Sequence, residues 1–409
     1  MAVETYNPKS AERERYNKMR AQDNYRKIAA LLPAPGSSID WEKLGSTALG
    51  KLFDGMRATK QDAEYHAEGN VFEHTRLVTE ELIKLPVYAE SDERGRTVLF
   101  FAAILHDIGK IRCTRVENGR LTSPHHAATG ARMAREFLWR ELGMAGEGSK
   151  QTMREGICAL IRYHTFPPFA IKSDDPELKI LKIASMAELT PDFSMRRLCA
   201  LEVADVLGRV GSGAKDYLER IEYCRMLSEE LGVLDAPYAF TSEYSERAYF
   251  LLKTRWRDDS VYDDSFGEVI LLSGLPGTGK DTWISQHASA LPVISLDDIR
   301  EKLRISPTSD QGEVIAEAYS MARELLRRRQ PFVWNATSTV RDLRSKVISL
   351  AEQYGASVRI VFLETEWECE LKRNRERERS VPEARIEKML AKLEIPERFE
   401  SVRVEWKCV

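Results

Sequence analysis

Histidine and aspartate recur on apolar segments in the first half of the chain. The sequence contains seven histidines, and six of them lie in that half: His66, His74, His106, His125, His126 and His164. Asp107 follows His106 directly, and Asp205 lies inside the apolar segment 202–209. A single buried histidine is usually an ordinary core residue. A buried carboxylate, however, needs a partner, and imidazole together with carboxylate is a ligand set for a divalent metal. We therefore expect a metal site in this half.

A glycine-rich loop in the second half has the spacing of a phosphate-binding loop. The segment 274–282, GLPGTGKDT, directly follows an apolar run and precedes a helical pattern. In such a loop the backbone N–H groups point at phosphates, the helix N-terminus adds positive potential, and Lys280 reaches the β and γ oxygens. We expect ATP or another NTP to be bound by Gly274, Gly277, Thr278, Gly279, Lys280, Asp281 and Thr282.

One position of this loop departs from the usual pattern. The residue after the lysine is normally a serine or threonine that holds Mg²⁺, but here it is Asp281. A carboxylate can also hold Mg²⁺, directly or through water. The sequence leaves open whether Asp281 or Thr282 does so.

Two further segments could act on a transferred phosphoryl group. Asp297 and Asp298 follow the second apolar run of this half, at the edge of the expected sheet where ligands bind. Either could deprotonate an acceptor hydroxyl, and either could equally cap the helix that follows. The charged run 371–379 is typical of a solvated helix face, yet beside a phosphate-binding loop one of its arginines could neutralise the transferring group.

The elements that position these residues differ between the two halves. Apolar residues recur at helical spacing up to about residue 234, and strand signals are nearly absent there. Strand-like runs then alternate with helical stretches, at Glu268–Ser273, Pro292–Ser295, Phe332–Trp334 and Val358–Leu363. This alternation predicts a parallel sheet with crossover helices. We expect an all-α domain at 1–235, a linker at 236–265 and an α/β domain at 266–409.

Composition excludes several classes of protein. The chain has 409 residues, 43% hydrophobic and 31% charged, which is typical of folded globular domains. The formal charge of −3 provides no overall basic field, so any nucleic-acid contact must come from local clusters. No apolar run is long enough to span a membrane, and the six scattered cysteines form no CxxC pair, so we expect a cytoplasmic protein with reduced thiols.

The order of histidines and aspartates in the first half resembles the HD phosphohydrolase superfamily, an all-α fold of metal-dependent hydrolases. The resemblance spans about 49–210 and implies a metal ligand set of His74, His106, Asp107, His126, His164 and Asp205. It further implies that Asp107 bridges to a second metal and that Lys110 holds the substrate phosphate. Histidine-rich ligation favours Mn²⁺, Co²⁺, Ni²⁺, Zn²⁺ or Fe over Mg²⁺. His66 and His125 are secondary candidates, through similarity to the HD domain of bacterial tRNA nucleotidyltransferases.

The second half resembles the 5′-hydroxyl polynucleotide kinases of the P-loop phosphotransferase superfamily. The resemblance spans about 267–396 and rests on GLPGTGKDT, on DDIR at 297–300, and on RNRER followed by VP. It implies that Asp297 is the general base, that Arg300 contacts a phosphate of the acceptor, and that Arg377 touches the donor phosphates. Arg373 and Arg379 remain alternatives for that last role.

Taken together, the two halves resemble the bacterial bifunctional HD-Pnk end-healing enzymes. That resemblance implies hydrolysis of 2′,3′-cyclic, 2′- and 3′-phosphate ends of RNA, NTP- and Mg²⁺-dependent phosphorylation of 5′-hydroxyl ends, and a partner RNA ligase. Two alternatives stay open. One is an HD nucleotide phosphodiesterase fused to a small-molecule or nucleoside kinase, and the other is a non-catalytic RNA-binding module that senses ATP.

Overall fold

A computed structural model of the chain describes residues 8–62, 67–210, 213–254, 256–306, 309–377 and 379–409. By internal contacts the chain divides into two compact units. The first extends to Tyr238 and includes Glu366–Glu368, and the second comprises Ala239–Thr365 and Cys369–Val409. No helix within the described ranges is both long and apolar enough to cross a membrane.

The first unit is helical. Its α-helices are α1 Pro8–Ala29, α2 Trp41–Gly45, α3 Gly50–Ala58, α4 Val71–Leu82, α5 Pro86–Glu90, α6 Glu93–Leu105, α7 Lys110–Cys113, α8 His126–Arg140, α9 Gly148–Tyr163, α10 Pro176–Ala184, α11 Met195–Leu207 and α12 Ala214–Glu230. Two 3₁₀ turns accompany them, at Pro167–Lys172 and Ser185–Glu188.

The helices that carry the predicted metal ligands begin at side-chain caps. Asn70 accepts a hydrogen bond from the N–H of Glu73 at the start of α4, Asp92 caps α6 in the same way, and Ser194 caps α11. Such a cap contributes about 1 kcal/mol and fixes where the helix begins. Helix α6 is apolar on all sides and buried from Thr97 to Leu105, so it forms the centre of the first unit.

A short hairpin interrupts the helices of the first unit. Strands β1 (Arg115–Glu117) and β2 (Arg120–Thr122) pair antiparallel across the two-residue turn Asn118–Gly119. Both turn residues have positive φ, 52° and 78°, as a type I′ hairpin requires. The sequence interpretation placed no strand here, because three-residue strands are too short to show a clear alternation of apolar and polar side chains.

The second unit is an α/β domain. Its strands are β3 Glu268–Ser273, β4 Val293–Ser295, β5 Phe332–Asn335, β6 Ser357–Glu364 and β7 Arg403–Cys408. Its helices are α13 Glu243–Phe250, α14 Lys280–His287, α15 Leu296–Leu303, α16 Gly312–Arg327, α17 Arg341–Gln353, α18 Trp367–Glu376 and α19 Glu383–Leu390, with a 3₁₀ turn at Arg398–Glu400.

All five strands pair in parallel, in the order β4-β5-β3-β6-β7. The predicted fold class, an all-α domain followed by an α/β domain with a parallel sheet, is confirmed. Strand β3 is central and is buried at five of its six positions, as expected for a parallel strand covered by helices on both faces. Because parallel strands end at one edge of the sheet, the loops after β3, β4 and β5 share that edge.

The segment expected as a linker contains regular structure. Helix α13 begins at Ser242, whose hydroxyl accepts from the N–H of Ser245. Arg247 on this helix pairs with Glu352 at 2.9 Å and donates to the carbonyl of Phe399 at 2.7 Å. By internal contacts the second unit begins at Ala239 and so includes α13.

Candidate functional sites

Five elements bring the predicted metal ligands of the first unit together. His74 lies on α4, His106 and Asp107 follow α6, His126 begins α8, His164 follows α9, and Asp205 lies near the end of α11. Asp107 is central to the group. Its Oδ2 lies 3.4 Å from His106 Nε2 and 3.6 Å from His74 Nε2, and its Oδ1 lies 3.4 Å from His126 Nε2 and 4.0 Å from His164 Nε2. Asp205 Oδ1 lies 2.8 Å from His74 Nε2.

The backbone fixes how three of these imidazoles point. Nδ1 of His106, His126 and His164 lies 2.8, 2.9 and 2.8 Å from the carbonyl oxygen three residues earlier in the chain. A carbonyl oxygen only accepts, so Nδ1 carries the proton and donates, which leaves the Nε2 lone pair directed at Asp107. Metal-binding histidines in proteins are commonly oriented by such a hydrogen bond from the second ring nitrogen.

Two buried polar atoms of the group have no hydrogen-bond partner in the described part of the chain, as is expected where a metal ion binds. Among the described residues, His106 Nε2 and Asp107 Oδ1 are buried and have no hydrogen-bond partner. Two triads, His74–His106–Asp107 and Asp107–His126–His164, each bring their ligand atoms within 4.8 Å of one another. Since orphaned buried polar atoms are costly, this geometry fits one or two divalent cations held between imidazole nitrogens and carboxylate oxygens.

The electrostatics keep the ligands in the forms that bind metal. Burial would raise the pKa of Asp107, but Lys110 and His106 outweigh it and hold the pKa well below the ordinary range. Burial, reinforced by His106 and His126, lowers the pKa of His164 to about 3, and burial also lowers the pKa of His126. These two imidazoles are therefore neutral at pH 7, as metal binding requires.

A glycine allows α8 to approach the group closely. A Cβ on Gly109 would lie 2.0 Å from the carbonyl oxygen of His126 and 2.5 Å from the N–H nitrogen of Gly130. No side chain fits in that space. Gly109 therefore sets the position of His126 relative to Asp107.

Lys110, the predicted phosphate-binding lysine, lies beside the six predicted metal ligands, which are called here the metal-type group. Lys110 Nζ is 2.6 Å from Asp107 Oδ2 and donates to Gln61 Oε1 at 2.7 Å. Sequence reasoning did not identify Gln61. Two other residues were also missed: Glu68, whose Oε1 lies 2.9 Å from His74 Nδ1, and Arg209, which contacts the carboxylate of Asp205. Gln61 lies far from Lys110 in the sequence, so no local pattern marks it, whereas Glu68 and Arg209 lie close in sequence to the side chains that they contact.

Of the two secondary histidine candidates, the structure describes one, and that one does not join the group. His125 is exposed, adopts a left-handed conformation with φ 58° just before α8, and belongs to neither triad. His66 lies outside the described residues.

The glycine-rich loop of the second unit occupies the carboxyl end of β3. Lys280 begins α14 and donates to the loop carbonyls of Gly274 and Leu275 at 3.1 and 2.8 Å. Gly277 has φ 92°, and a Cβ there would lie 2.7 Å from the carbonyl oxygen of Glu370, so only glycine fits. Burial, followed by the charge of Arg377, lowers the pKa of Lys280 to about 8.

The remaining loop residues divide between structural and exposed positions. Thr278 is buried and donates to the carbonyl of Leu275 at 2.9 Å, and the N–H of Gly274 donates to the carbonyl of Thr337 at 2.9 Å. Gly279 caps α14 with φ 78°. Asp281 and Thr282 are both exposed on the first turn of α14.

Asp281 is held in place by a neighbouring strand. Asn335, the last residue of β5, donates from Nδ2 to Asp281 Oδ1 at 2.7 Å, and Arg377 Nη2 lies 3.8 Å from Asp281 Oδ2. Mg²⁺ at nucleotide sites is usually held by one or two carboxylates, by substrate phosphates and by waters. The exposed carboxylate beside the phosphate-binding loop fits such an ion.

Asp297 and Asp298 lie on the first turn of α15, after β4. The cap of this helix is Ser295, whose hydroxyl accepts from the N–H of Asp298 at 3.2 Å, so neither aspartate is the capping residue. Asp297 contacts Arg300, and Arg300 Nε donates to Gln311 Oε1 at 2.7 Å. Asp297 also acts electrostatically on Lys280.

The three candidate arginines of the charged run 371–379 contact different residues of the second unit. Arg377 lies nearest Asp281 and Lys280, as described above. Arg373 Nη1 donates to the carbonyl of Val409 at 3.4 Å and lies beside Gly279. Arg379 contacts Glu301 and lies 3.6 Å from Asp298, on the side of α15.

Comparisons with known proteins agree with this division. A family model for the HD domain matches residues 71–185, and a family model described as an AAA domain, AAA_33, matches residues 269–396. Among solved structures, a gluconokinase from Sinorhizobium meliloti 1021 is similar at 22% identity over 35% of this chain and 82% of its own, with a TM-score of 0.27. HD domains bind divalent metals, and P-loop kinases use an NTP with Mg²⁺. The chain therefore joins an HD hydrolase domain to a P-loop kinase-like domain.

Proposed function

We propose that this protein heals broken RNA ends. The HD domain hydrolyses 2′,3′-cyclic, 2′- and 3′-phosphates, and the kinase domain phosphorylates 5′-hydroxyl polynucleotide ends at the expense of an NTP. Its products, a 3′-hydroxyl and a 5′-phosphate, are the ends that an RNA ligase joins. We accordingly propose an RNA ligase as its functional partner.

The observation that carries the proposal is the contact between Asp297 and Arg300 at the edge of the sheet that holds the phosphate-binding loop. A carboxylate there can accept the proton of an acceptor hydroxyl. An arginine one helical turn away can bind a phosphate close to that hydroxyl. A polynucleotide 5′ end offers both groups, whereas a nucleoside or sugar offers only the hydroxyl.

In the kinase domain the roles follow from position. The loop N–H groups and Lys280 bind the β- and γ-phosphates, Asp281 is placed to hold Mg²⁺, and Arg377 neutralises charge on the transferring group. Asp297 takes the proton from the 5′-hydroxyl while Arg300 fixes the adjacent phosphate. Asn335 orients Asp281.

In the HD domain the six ligand residues would hold the cations, which supply Lewis acidity and a water of lowered pKa near neutral pH. Lys110 binds a phosphate oxygen of the substrate and Gln61 fixes the lysine. The protein excludes bulk water around these groups, since His74, His106, Asp107 and His164 are almost fully buried.

The test is end analysis of a short RNA that carries a 5′-hydroxyl and a 2′,3′-cyclic phosphate, incubated with ATP and either Mg²⁺ or Mn²⁺/Ni²⁺. Both ends should be healed by the wild-type protein. Asp107→Ala should lose only 3′-end hydrolysis and Asp297→Asn only 5′ phosphorylation. If neither end changes while free nucleotides or nucleosides are hydrolysed or phosphorylated, the small-molecule alternative replaces the proposal.

A further inference from the structure

An aromatic pair in which one ring is exposed lies beside the HD metal-type group. Phe169, on the 3₁₀ turn Pro167–Lys172, is 46% exposed, and its ring packs edge-to-face on Tyr217 of α12 with centroids 6.2 Å apart. The phenylalanines of α6, by contrast, are almost fully buried. In this pair, called here the aromatic platform, Tyr217 is half-buried and the Phe169 ring leaves surface open to a ligand.

Three cations surround the aromatic platform. Lys172 Nζ lies 5.6 Å from the centroid of Phe169, and the guanidinium carbons of Arg209 and Arg220 each lie 5.7 Å from the centroid of Tyr217. Arg220 is also paired with Asp216 at 2.5 Å. Aromatic rings interleaved with cations are the arrangement with which proteins bind single-stranded nucleic acid, because bases stack on the rings and phosphates meet the cations.

Two structural links connect the aromatic platform to the metal-type group. Arg209 contacts Tyr217 on one side and the carboxylate of Asp205 on the other, and Asp205 lies 2.8 Å from His74. The turn that carries Phe169 begins three residues after His164. A nucleotide bound on the aromatic platform would consequently have its phosphate close to the metal-type group.

We infer that the aromatic platform binds the nucleotides next to the 3′ end of single-stranded RNA. A base stacks on Phe169, while Lys172 neutralises the backbone phosphate that leads to the reacting end. The inference rests on the proposed function, which it extends by giving the HD domain a preference for oligonucleotide ends over mononucleotides. The chemistry of rings and positive charge selects a base followed by a phosphate.

The first test locates the RNA without requiring hydrolysis. A single-stranded RNA with a terminal 3′-phosphate and 4-thiouridine as its penultimate base is irradiated with the full-length protein, and crosslinked peptides are identified by mass spectrometry. We expect crosslinks within Pro167–Lys172 and the first turns of α12, lost in Phe169→Ala. Tyr223→Ala is the matched control, because Tyr223 lies on the same helix as Tyr217 and is 41% exposed.

The second test measures the contribution of stacking. Oligonucleotides with a 2′,3′-cyclic phosphate are compared with and without bases at the last two positions. Removing the bases should raise the KM of the wild type about 5- to 100-fold, the range of base–aromatic stacking. Phe169→Ala should raise the KM for the normal RNA similarly and show no further rise with the abasic RNA, with kcat unchanged and Phe169→Trp restoring the wild-type KM.

The outcomes separate the inference from the proposed function. Crosslinks at the platform without hydrolysis of RNA ends would retain the inference and overturn the function. Hydrolysis with an unaltered KM in Phe169→Ala and no crosslink there would overturn the inference and retain the function. Binding of an acidic, tyrosine-containing peptide in place of RNA would also overturn the inference.

Discussion

Asn335 at the end of β5 donates a hydrogen bond to Asp281 on the first turn of α14, at 2.7 Å. In common P-loop enzymes the residue after the lysine is a hydroxyl side chain and a carboxylate comes from a neighbouring strand. Here the first position holds the carboxylate and the neighbouring strand ends in an amide. A carboxylate is thus kept beside the loop, but it lies on the helix instead of the strand.

This exchange predicts which residue determines the affinity of the kinase domain for Mg²⁺. Asp281→Ala should raise the Mg²⁺ concentration required for half-maximal kinase activity, and Asn335→Ala should raise it about 10- to 100-fold, as is typical when the group that orients a ligand is removed. Binding of Mn²⁺ in the presence of ATP, followed by electron paramagnetic resonance, should weaken in parallel. Thr282→Ala is the control, and a larger loss in that variant would show that the threonine is the ligand.

Lys280 gives the kinase domain a pH dependence. Its pKa is lowered to about 8 in the absence of nucleotide, chiefly by burial and then by Arg377. Bound triphosphate favours the charged lysine, so the pKa rises in the complex. As the pH rises through 8, free protein loses the proton of Lys280, whereas the ATP complex keeps it.

Affinity for ATP should therefore be constant below about pH 7 and fall above pH 8, by at most tenfold per pH unit. Calorimetry at pH 8 in buffers of different ionisation enthalpy should report proton uptake on binding. Lys280→Met should bind ATP weakly without that uptake. Equal uptake in the variant would assign the proton to another group.

Substitutions of the predicted metal ligands in the HD domain should differ in how much bound metal they remove. Asp107 belongs to both triads, whereas His126 and His164 belong to one. Asp107→Ala should remove all bound transition metal, and His126→Ala should remove about half if two ions bind. Elemental analysis after loading with Mn²⁺ or Ni²⁺ measures this directly.

The control for this experiment is His125→Asn, since asparagine tolerates the left-handed conformation of that position. It should retain the full metal content. Kinase activity should be unchanged in every HD variant. Equal loss from His126→Ala and Asp107→Ala would mean that a single ion is shared by all the ligands.

The phosphate-binding loop could be predicted from sequence because its parts are contiguous. Strand β3, the loop and α14 follow one another, and the fold requires that order. The last strand, β7, was not predicted. Its residues alternate charged and apolar side chains from Arg403 to Lys407, and only Val404 is buried, which is typical of an edge strand. No helical pattern follows it to indicate another strand–helix unit.

The metal-type group could be predicted in composition but not in contacts. Residue type and apolar context identified His106, Asp107 and Asp205, and the family resemblance supplied the ligand roles of His74, His126 and His164. The position of Gln61 depends on packing between elements far apart in the chain, whereas Arg209 lies only four residues after Asp205. At the hairpin the Asn118–Gly119 pair favours a type I′ turn, but the strands beside it are too short to show the alternation that would have identified them.

Gly109 links packing to the metal-type group, and its replacement should damage both. A Cβ at this position would lie 2.0 Å from the carbonyl oxygen of His126, so Gly109→Ala must push α8 away from Asp107. We expect a loss of about 1–3 kcal/mol in the stability of the HD domain, the range for overpacked cores. Because His126 Nε2 would move from its place 3.4 Å from Asp107 Oδ1, metal binding should weaken as well.

Differential scanning calorimetry can separate the two domains, because ATP should raise only the transition of the kinase domain. Gly109→Ala should lower the other transition. Gly148→Ala is the matched control, since a Cβ there would have no atom within 4 Å and the residue lies at the start of α9, where alanine should be neutral or slightly stabilising. An unshifted transition together with full metal content in Gly109→Ala would mean that the approach of α8 does not determine the geometry of the site.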